Sequence, residues 1–515
     1  MRTSRTIVPR VTVLVFNSVL HDARVLKEAD SLARQGHEVK IVGLHDKRVS
    51  GMHFQRPSGV KIELCRPLLT DAVQQLIRVA QFLAAALVVT LLAWYGWSNV
   101  TDGTLPPTHV YLAVTVLATF IVVGIAKRKQ LKSLTIHHVT PRLPASIKRV
   151  GRKLARLYQA GQRRFDTLRQ KVRTLVRPWA RPAFQRLRHK MMVDAVISDA
   201  PDIIHCHDMW TLPAGVAAKR QTGAQLVWDA HEIYEEVAQG SPEHAQLCRK
   251  ILRRSQRHID GFITINDSIA AFYATHYKEL PPAIIIKNAT VPQPPVQYDG
   301  RLHHASGIPE TQKIVLYQGG FSEKRGLRAL VAASAHLSDD WTLVMMGWGK
   351  LEAELKEIGG RINDRAGTRA NPAVCFIPAA AQVELAQWSA GGTVGLIPYE
   401  NVGLNHLYCT PNKLWEYPAA GVPILCSPLV EMSLVIRAHG IGWTLPEDAS
   451  PEQIAAVINQ LDPSALSQAR AACRTYIESD NWNTYESRLF DLYERLNVKI
   501  AAKNGENRIR ETKVA

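Results

Sequence analysis

Short apolar strands alternate with amphipathic helices along most of this 515-residue chain, and the alternation occurs twice. Residues 11–16 read as a strand. The stretch 21–35 follows with Val25, Leu26, Ala29 and Leu32 at helical spacing, closed by Gly36 as a C-cap. Strands at 38–43 and 61–65 come next. After a break the pattern resumes with strands at 202–206, 225–229, 261–265 and 283–287, separated by helices near 212–222 and 243–258 and from 268 onward. A second series runs through strands at 313–318, 341–346, 374–377, 394–397 and 422–427, with helices near 325–336 and 349–361. Strands alternating with helices require a parallel sheet covered on both faces. The predicted fold class is therefore α/β, with two doubly wound Rossmann-like domains in series. Ligands of such sheets sit at the carboxyl ends of the strands, and two such ends can face one cleft.

The predicted boundaries are 1–66 with 191–290 for the first domain, 67–190 for an insertion, 291–312 for a linker rich in Pro and Gly, and 313–480 for the second domain. A stripe of Tyr485, Leu489, Leu492 and Leu496 predicts a helix over 481–500 that packs back on the first domain. Residues 501–515 are expected to be a disordered tail.

The break holds two uncharged apolar runs, 79–96 and 108–126. About 20 apolar residues in a helix cross a hydrocarbon core, which predicts transmembrane helices over 77–97 and 108–126. The loop 97–107 lacks Lys and Arg, whereas Lys127, Arg128 and Lys129 follow the second run, so both ends of the hairpin face the cytoplasm. Trp94, Tyr95 and Trp97 stand where an aromatic belt belongs, and Arg78 can snorkel from the other end. A pair of buried core helices or a re-entrant hairpin are the rival readings. Core helices usually carry a polar face, which these runs lack.

Residues 127–190 contain twenty Lys and Arg against one acid, Asp166, so the net charge of +18 resides in this segment. Over 142–190, Val150, Leu154, Leu157, Phe165, Leu168, Val172 and Leu175 mark an apolar stripe among basic residues. Basic amphipathic helices of this kind lie on an anionic membrane surface, each basic residue contributing about 1 kcal/mol. A nucleic acid partner is not expected, because aromatics for base stacking are not interleaved. A solvated basic linker is the bland alternative. The seven scattered cysteines form no CxxC pair, which fits a reducing compartment. The basic start of the chain leads directly into a strand, so no signal peptide is expected. The localisation these features predict is the inner (cytoplasmic) membrane, with both α/β domains facing the cytoplasm.

Four stretches carry a family resemblance: HDARVLKEADSLARQGHEVKIVGL (21–44); PDIIHCHDMWTLPAG (201–215) with LVWDAHE (226–232); LYQGGFSEKRGLRALVAA (316–333); and TPNKLWEYPAAGVPILCS (410–427). In this order the chain resembles the GT-B glycosyltransferases of family 4, which are retaining enzymes. The resemblance implies a nucleotide-sugar donor whose diphosphate must be held as it leaves. No two aspartates lie two apart, so an Asp-x-Asp metal site is missing from the sequence, and no metal or other cofactor is expected. Instead, Thr410-Pro411 opening a helix turns free N–H groups toward the phosphates. Gly319 and Gly320 allow close backbone approach, and Lys324 or Arg325 supplies positive charge. Asn412, Lys413 and Tyr408 complete this donor-binding set.

By resemblance, Arg325 stands where the family has a phosphate-binding Lys, Glu416 is similar to the acid that accepts from ribose hydroxyls, and His231 matches a His beside the transferred sugar. Two positions depart from the family. Tyr408 replaces a Glu eight residues before Glu416, and Gly320 replaces an Arg. His207 and Asp208 are expected to line the acceptor cleft. His205 and His207 share one strand face but show no third metal ligand in the sequence. The function implied is transfer of a sugar to a lipid-linked glycan or glycolipid acceptor in cell-surface polysaccharide assembly. A catalytically degenerate scaffold of a glycan-assembly complex and a GT-B-type nucleotide-sugar epimerase are the alternatives. The pattern does not specify donor base, sugar, linkage or oligomeric state.

Overall fold

The structure is a computed structural model that describes residues 9–66 and 185–514, apart from 21, 47–48, 238–239, 366 and 368, with the backbone alone over 501–514. The expected hairpin helices 77–97 and 108–126, and all of the basic stretch except its last residues, lie outside the described residues. Among the described residues no helix is long and apolar enough to cross a membrane. The chain forms two compact units, Met1–Cys65 with Met192–Ala515, and Arg66–Met191; everything below concerns the first.

That unit contains two sheets. The first is built from β1 (Arg10–Leu14), β2 (Glu38–Leu44), β3 (His53–Gln55), β4 (Lys61–Cys65), β5 (Ile203–His207), β6 (Gln225–Ala230), β7 (Gly261–Thr264) and β8 (Ala283–Ile285), in the order β3-β4-β2-β1-β5-β6-β7-β8. All neighbours are parallel except β3 and β4. The second sheet holds β9 (Lys313–Phe321), β10 (Trp341–Gly349), β11 (Val374–Ile377), β12 (Val394–Ile397), β13 (Ile424–Cys426) and β14 (Gly442–Thr444), in the order β11-β10-β9-β12-β13-β14. Strand order reverses between β1 and β5 and again between β9 and β12. Those two reversal points are where open α/β sheets place ligands.

The linker stretch contains a helix, Arg301–Ser306, which sits between Gly300 and Gly307, both at positive φ, and buries Leu302. Two left-handed glycines bracket a short helix as readily as they mark a loop. The Gly319-Gly320 pair lies in a strand. It continues β9, which stays in register with Gly347 and Trp348 of β10 as far as Phe321. The last helix, expected over 481–500, runs from Trp482 to Val514. Its Ala, Lys, Glu and Arg content favours helix, and Asn504-Gly505 does not outweigh that.

The last helix ties the halves together. Tyr485, Leu489, Leu492, Tyr493 and Leu496 are all buried. Leu492 packs at β7, where a Cβ on Gly261 would come within 3.0 Å of it. The Trp482 indole donates to Ser31 Oγ at 2.9 Å. Asp480, just before the helix, accepts from the Trp415 indole (3.0 Å), the Tyr485 hydroxyl (2.8 Å) and Lys287 Nζ (2.8 Å). A carboxylate with three largely buried donors cannot be removed cheaply, since each donor then loses its acceptor. Asp480→Ala should destabilise the protein by about 3 kcal/mol, and Asp480→Asn by less. Unchanged thermal unfolding of Asp480→Ala would remove this carboxylate from the account of how the halves are joined.

Candidate active site

Two neighbouring cavities open at the carboxyl ends of the strands. The first, about 380 Å³, is lined by Gln318, Gly319, Arg325, Tyr399, Asn412, Lys413 and Glu416, among others. The second, about 330 Å³, is lined by His231, Glu232, Asn288, Lys324, Arg325, Tyr399, Asn405, Thr410 and others. Arg325, Tyr399 and Pro411 belong to both linings. Arg325 therefore stands where one space passes into the other.

Backbone geometry explains how the first cavity is shaped. Gly319 has φ +126°, and a Cβ there would lie 3.2 Å from Lys413 Nζ. Only glycine accepts that conformation and leaves the ammonium its place. Gly326, at φ +65°, would put a Cβ 1.9 Å from the Pro398 carbonyl oxygen. The chain after Arg325 is thereby pressed against the end of β12.

The cationic groups are held by aromatics. Arg325 Nη1 donates to the Tyr399 hydroxyl at 2.9 Å, and its guanidinium lies 5.1 Å from that ring's centre. Lys413 Nζ donates to the same hydroxyl at 3.3 Å and lies 5.4 Å from the Tyr317 ring. Burial pushes the Tyr399 phenol up to about 12, so it stays neutral and free to accept both bonds. Burial also lowers the Lys413 ammonium below the usual lysine range. Glu416 accepts from Gln318 Nε2 at 3.1 Å, and Gln318 in turn accepts from Ser389 at 2.5 Å. A carboxylate fixed in this way faces a space that also holds two cations.

Beside the second cavity lies a charged network. Arg24 grips Asp229 with two bonds, Nε to Oδ2 at 2.8 Å and Nη2 to Oδ1 at 3.0 Å. Asp229 is fully buried, yet Arg24 and His231 outweigh that burial and hold its carboxyl well below the usual range. His231 Nε2 lies 2.9 Å from Asp229 Oδ2, and its Nδ1 lies 3.4 Å from Asp208 Oδ1. Burial disfavours a charged imidazole, but the two carboxylates prevail and push His231 up to about 9. At neutral pH it is a cation with each ring nitrogen facing an anion.

The expected site residues thus divide. Gly319, Arg325, Asn412, Lys413 and Glu416 gather around the first cavity, and His231, Lys324 and Thr410 border the second. Lys324 is half-exposed and lies 3.5 Å from Glu400, outside the first cavity. Gly320 and Tyr408 line neither cavity; the Tyr408 carbonyl accepts from Asn266 Nδ2 at 2.7 Å. Thr410 does not open a helix. The helix there is Lys413–Ala419, and Thr410 Oγ1 accepts from Asn266 Nδ2 at 3.3 Å, joining the two lobes. His207 is buried beneath the cleft instead of lining it, because β5 turns its side chain toward Asp229. Asp208, at φ +63°, is part exposed and accepts from the Tyr234 hydroxyl at 2.6 Å.

Arg24, Glu28, Asp229, Gln318 and Tyr399 carry much of this arrangement and were not singled out from the sequence. Arg24 and Glu28 gave one readable signal. They lie on the same helical face as Val25, Ala29 and Leu32, which points toward the core, although a pair four apart on a helix is ordinarily a solvated bridge.

Comparison with known proteins agrees with this architecture. Residues 137–288 match the family described as glycosyl transferase 4-like domain, and residues 312–462 match glycosyl transferases group 1. No curated protein matches the chain in sequence. Among solved structures, sucrose-phosphate synthase from Thermosynechococcus elongatus is similar with a TM-score of 0.62 at 13% identity, covering 95% of this chain and 100% of that one. An E. coli protein described as trehalose-6-phosphate bound with UDP-2-fluoro glucose gives 0.53 at 10% identity, covering 94% and 98%. WaaG, a glycosyltransferase involved in lipopolysaccharide biosynthesis, gives 0.50 at 14% identity, covering 94% and 99%. These likenesses carry the fold. The two family matches span more than half of the chain, one on each lobe, and on that ground this chain is a GT-B-fold glycosyltransferase of group 1 type.

Proposed function

We propose that the protein is a membrane-anchored, retaining glycosyltransferase that moves a sugar from a nucleotide-sugar donor to a lipid-linked glycan or glycolipid at the cytoplasmic face of the inner membrane. The observation that carries this reading is Arg325 at the junction of the two cavities. The donor's diphosphate would occupy the first, against Arg325 and Lys413, with Glu416 accepting from ribose hydroxyls. The sugar would lie toward the second, where the Nδ1–H of the His231 cation, 3.4 Å from Asp208, would turn from that carboxylate to one of the sugar's hydroxyls. Charge developing on the departing diphosphate is met by fixed cations, so transfer needs no metal at the phosphates. The solved structure with bound UDP-2-fluoro glucose supports a donor of this chemical class.

The lipid half of the proposal rests on the apolar runs 79–96 and 108–126 and the basic residues after them. An acceptor confined to the bilayer meets an anchored enzyme at a raised effective concentration. Removing residues 67–190 should therefore lower transfer to lipid acceptors on the order of 100-fold, with donor hydrolysis unchanged. Full-length rates on lipid acceptors from the deleted, detergent-free form would overturn the anchoring role. The donor base is found by screening nucleoside diphosphates for thermal stabilisation of the detergent-solubilised protein.

A further inference from the structure

We propose that Glu28, His205 and His207 form a buried site for one divalent transition-metal ion, with zinc the best match. His205 and His207 are two apart on β5, so their rings share a face. They stack with centroids 4.4 Å apart and planes 13° apart. Each Nε2 lies 3.8 Å from Glu28 Oε2. That is too long for a hydrogen bond. Ligand atoms bound at about 2.0–2.2 Å around a tetrahedral ion stand about 3.4 Å apart, so the carboxylate must close by a few tenths of an ångström, the two near-parallel rings must turn until both lone pairs meet at one point, and a fourth ligand such as water must fill the remaining position.

Three further observations point the same way. Both Nε2 atoms and Glu28 Oε2 are buried without any hydrogen-bond partner, which native interiors rarely tolerate. The other nitrogen of each ring is already engaged: His205 Nδ1 with the Tyr493 hydroxyl at 2.9 Å, and His207 Nδ1 with Asp229 Oδ2 at 3.2 Å. Metal-binding histidines are oriented in this way, one nitrogen held by a hydroxyl or carboxylate and the other left to the ion. Charge also permits it. Asp229 neutralises Arg24 through two bonds, and Glu28 meets Arg24 with Oε1 at 3.1 Å, leaving Oε2 for the ion. Two imidazoles and one carboxylate favour zinc over magnesium or calcium. The ligands are at most 1% exposed, so the ion would enter as the chain folds and act structurally. It would lock β5 to the first helix, Ala23–Arg34, and fix His207 against the Asp229–His231 pair.

The test is metal content of full-length protein in detergent, purified without immobilised metal. We expect about one zinc per chain, loss of thermal stability on chelation, and recovery on adding zinc ion. Glu28→Gln should lose the metal. Tyr493→Phe keeps the packing and should weaken zinc binding about 10- to 100-fold, which covers the case in which Glu28→Gln does not fold. Metal-free wild type whose unfolding does not respond to added zinc overturns the site and assigns the space to a buried water. Zinc retained at wild-type affinity by both variants overturns it as well. None of these readouts depends on sugar transfer, so failure here leaves the proposed reaction standing.

Discussion

Arg325→Ala is expected to lower the turnover of sugar transfer by roughly 10²–10³-fold, with little change in thermal stability. The reasoning starts from its position in the linings of both cavities, at the point where a bond between sugar and phosphate would break. Negative charge grows on the leaving diphosphate as that bond lengthens, so a cation fixed beforehand acts more strongly in the transition state than in the ground state. Arg325 is fixed by Tyr399, whose hydroxyl it meets at 2.9 Å and whose ring it faces. Arg325→Lys keeps the charge but loses the planar fork and should fall between wild type and alanine. Tyr399→Phe leaves both cations present but less ordered, since Lys413 uses the same hydroxyl; a loss of about tenfold fits one neutral hydrogen bond. Steady-state kinetics with the donor found by thermal screening decides the matter. Wild-type turnover in Arg325→Ala would place the leaving-group cation elsewhere.

The alternation of apolar strands and helices was sufficient to read the two sheets. It did not reveal β3 (HFQ) or β14 (GWT), three-residue strands that lack the continuous apolar run by which the equally short β8 and β13 were read. The chain's glycines were legible as places of close backbone approach, but not as part of a strand. Gly319-Gly320 suits a turn, yet its freedom is spent on a strand that must pass close to Lys413 and Gly347. Around the first cavity, Glu416, Lys413 and Arg325 were legible because each sits inside a motif. Tyr399 was not, because an aromatic after a strand is ordinarily core. Arg24 and Glu28 were hidden differently. A charged pair four apart on a helix is usually a solvated bridge, and only the partners on β5 and β6, nearly 200 residues away, make it a buried one. Asp229 belongs to the same case, since a sequence cannot show which cation will reach a carboxylate at a strand end.

That carboxylate gives the second large effect. Asp229→Ala should cost about 3–5 kcal/mol and abolish transfer. The stability loss follows from Arg24, which is 7% exposed and donates two bonds to Asp229. Without its anion it is a buried charge left with Glu28 and with the Ile286 carbonyl and Asn288, which it contacts through Nη1. The activity loss has a separate origin, because His231 is a cation by virtue of Asp229 and Asp208 together. A double change separates the two. Arg24→Met with Asp229→Leu removes both buried charges and fills the space, which is often nearly neutral for stability. We expect thermal unfolding to return most of the way toward wild type while transfer stays lost, since His231 no longer has its buried partner. Recovery of transfer along with stability would mean that the Asp229–His231 pair serves folding alone, and that the sugar is oriented by other groups of the second cavity.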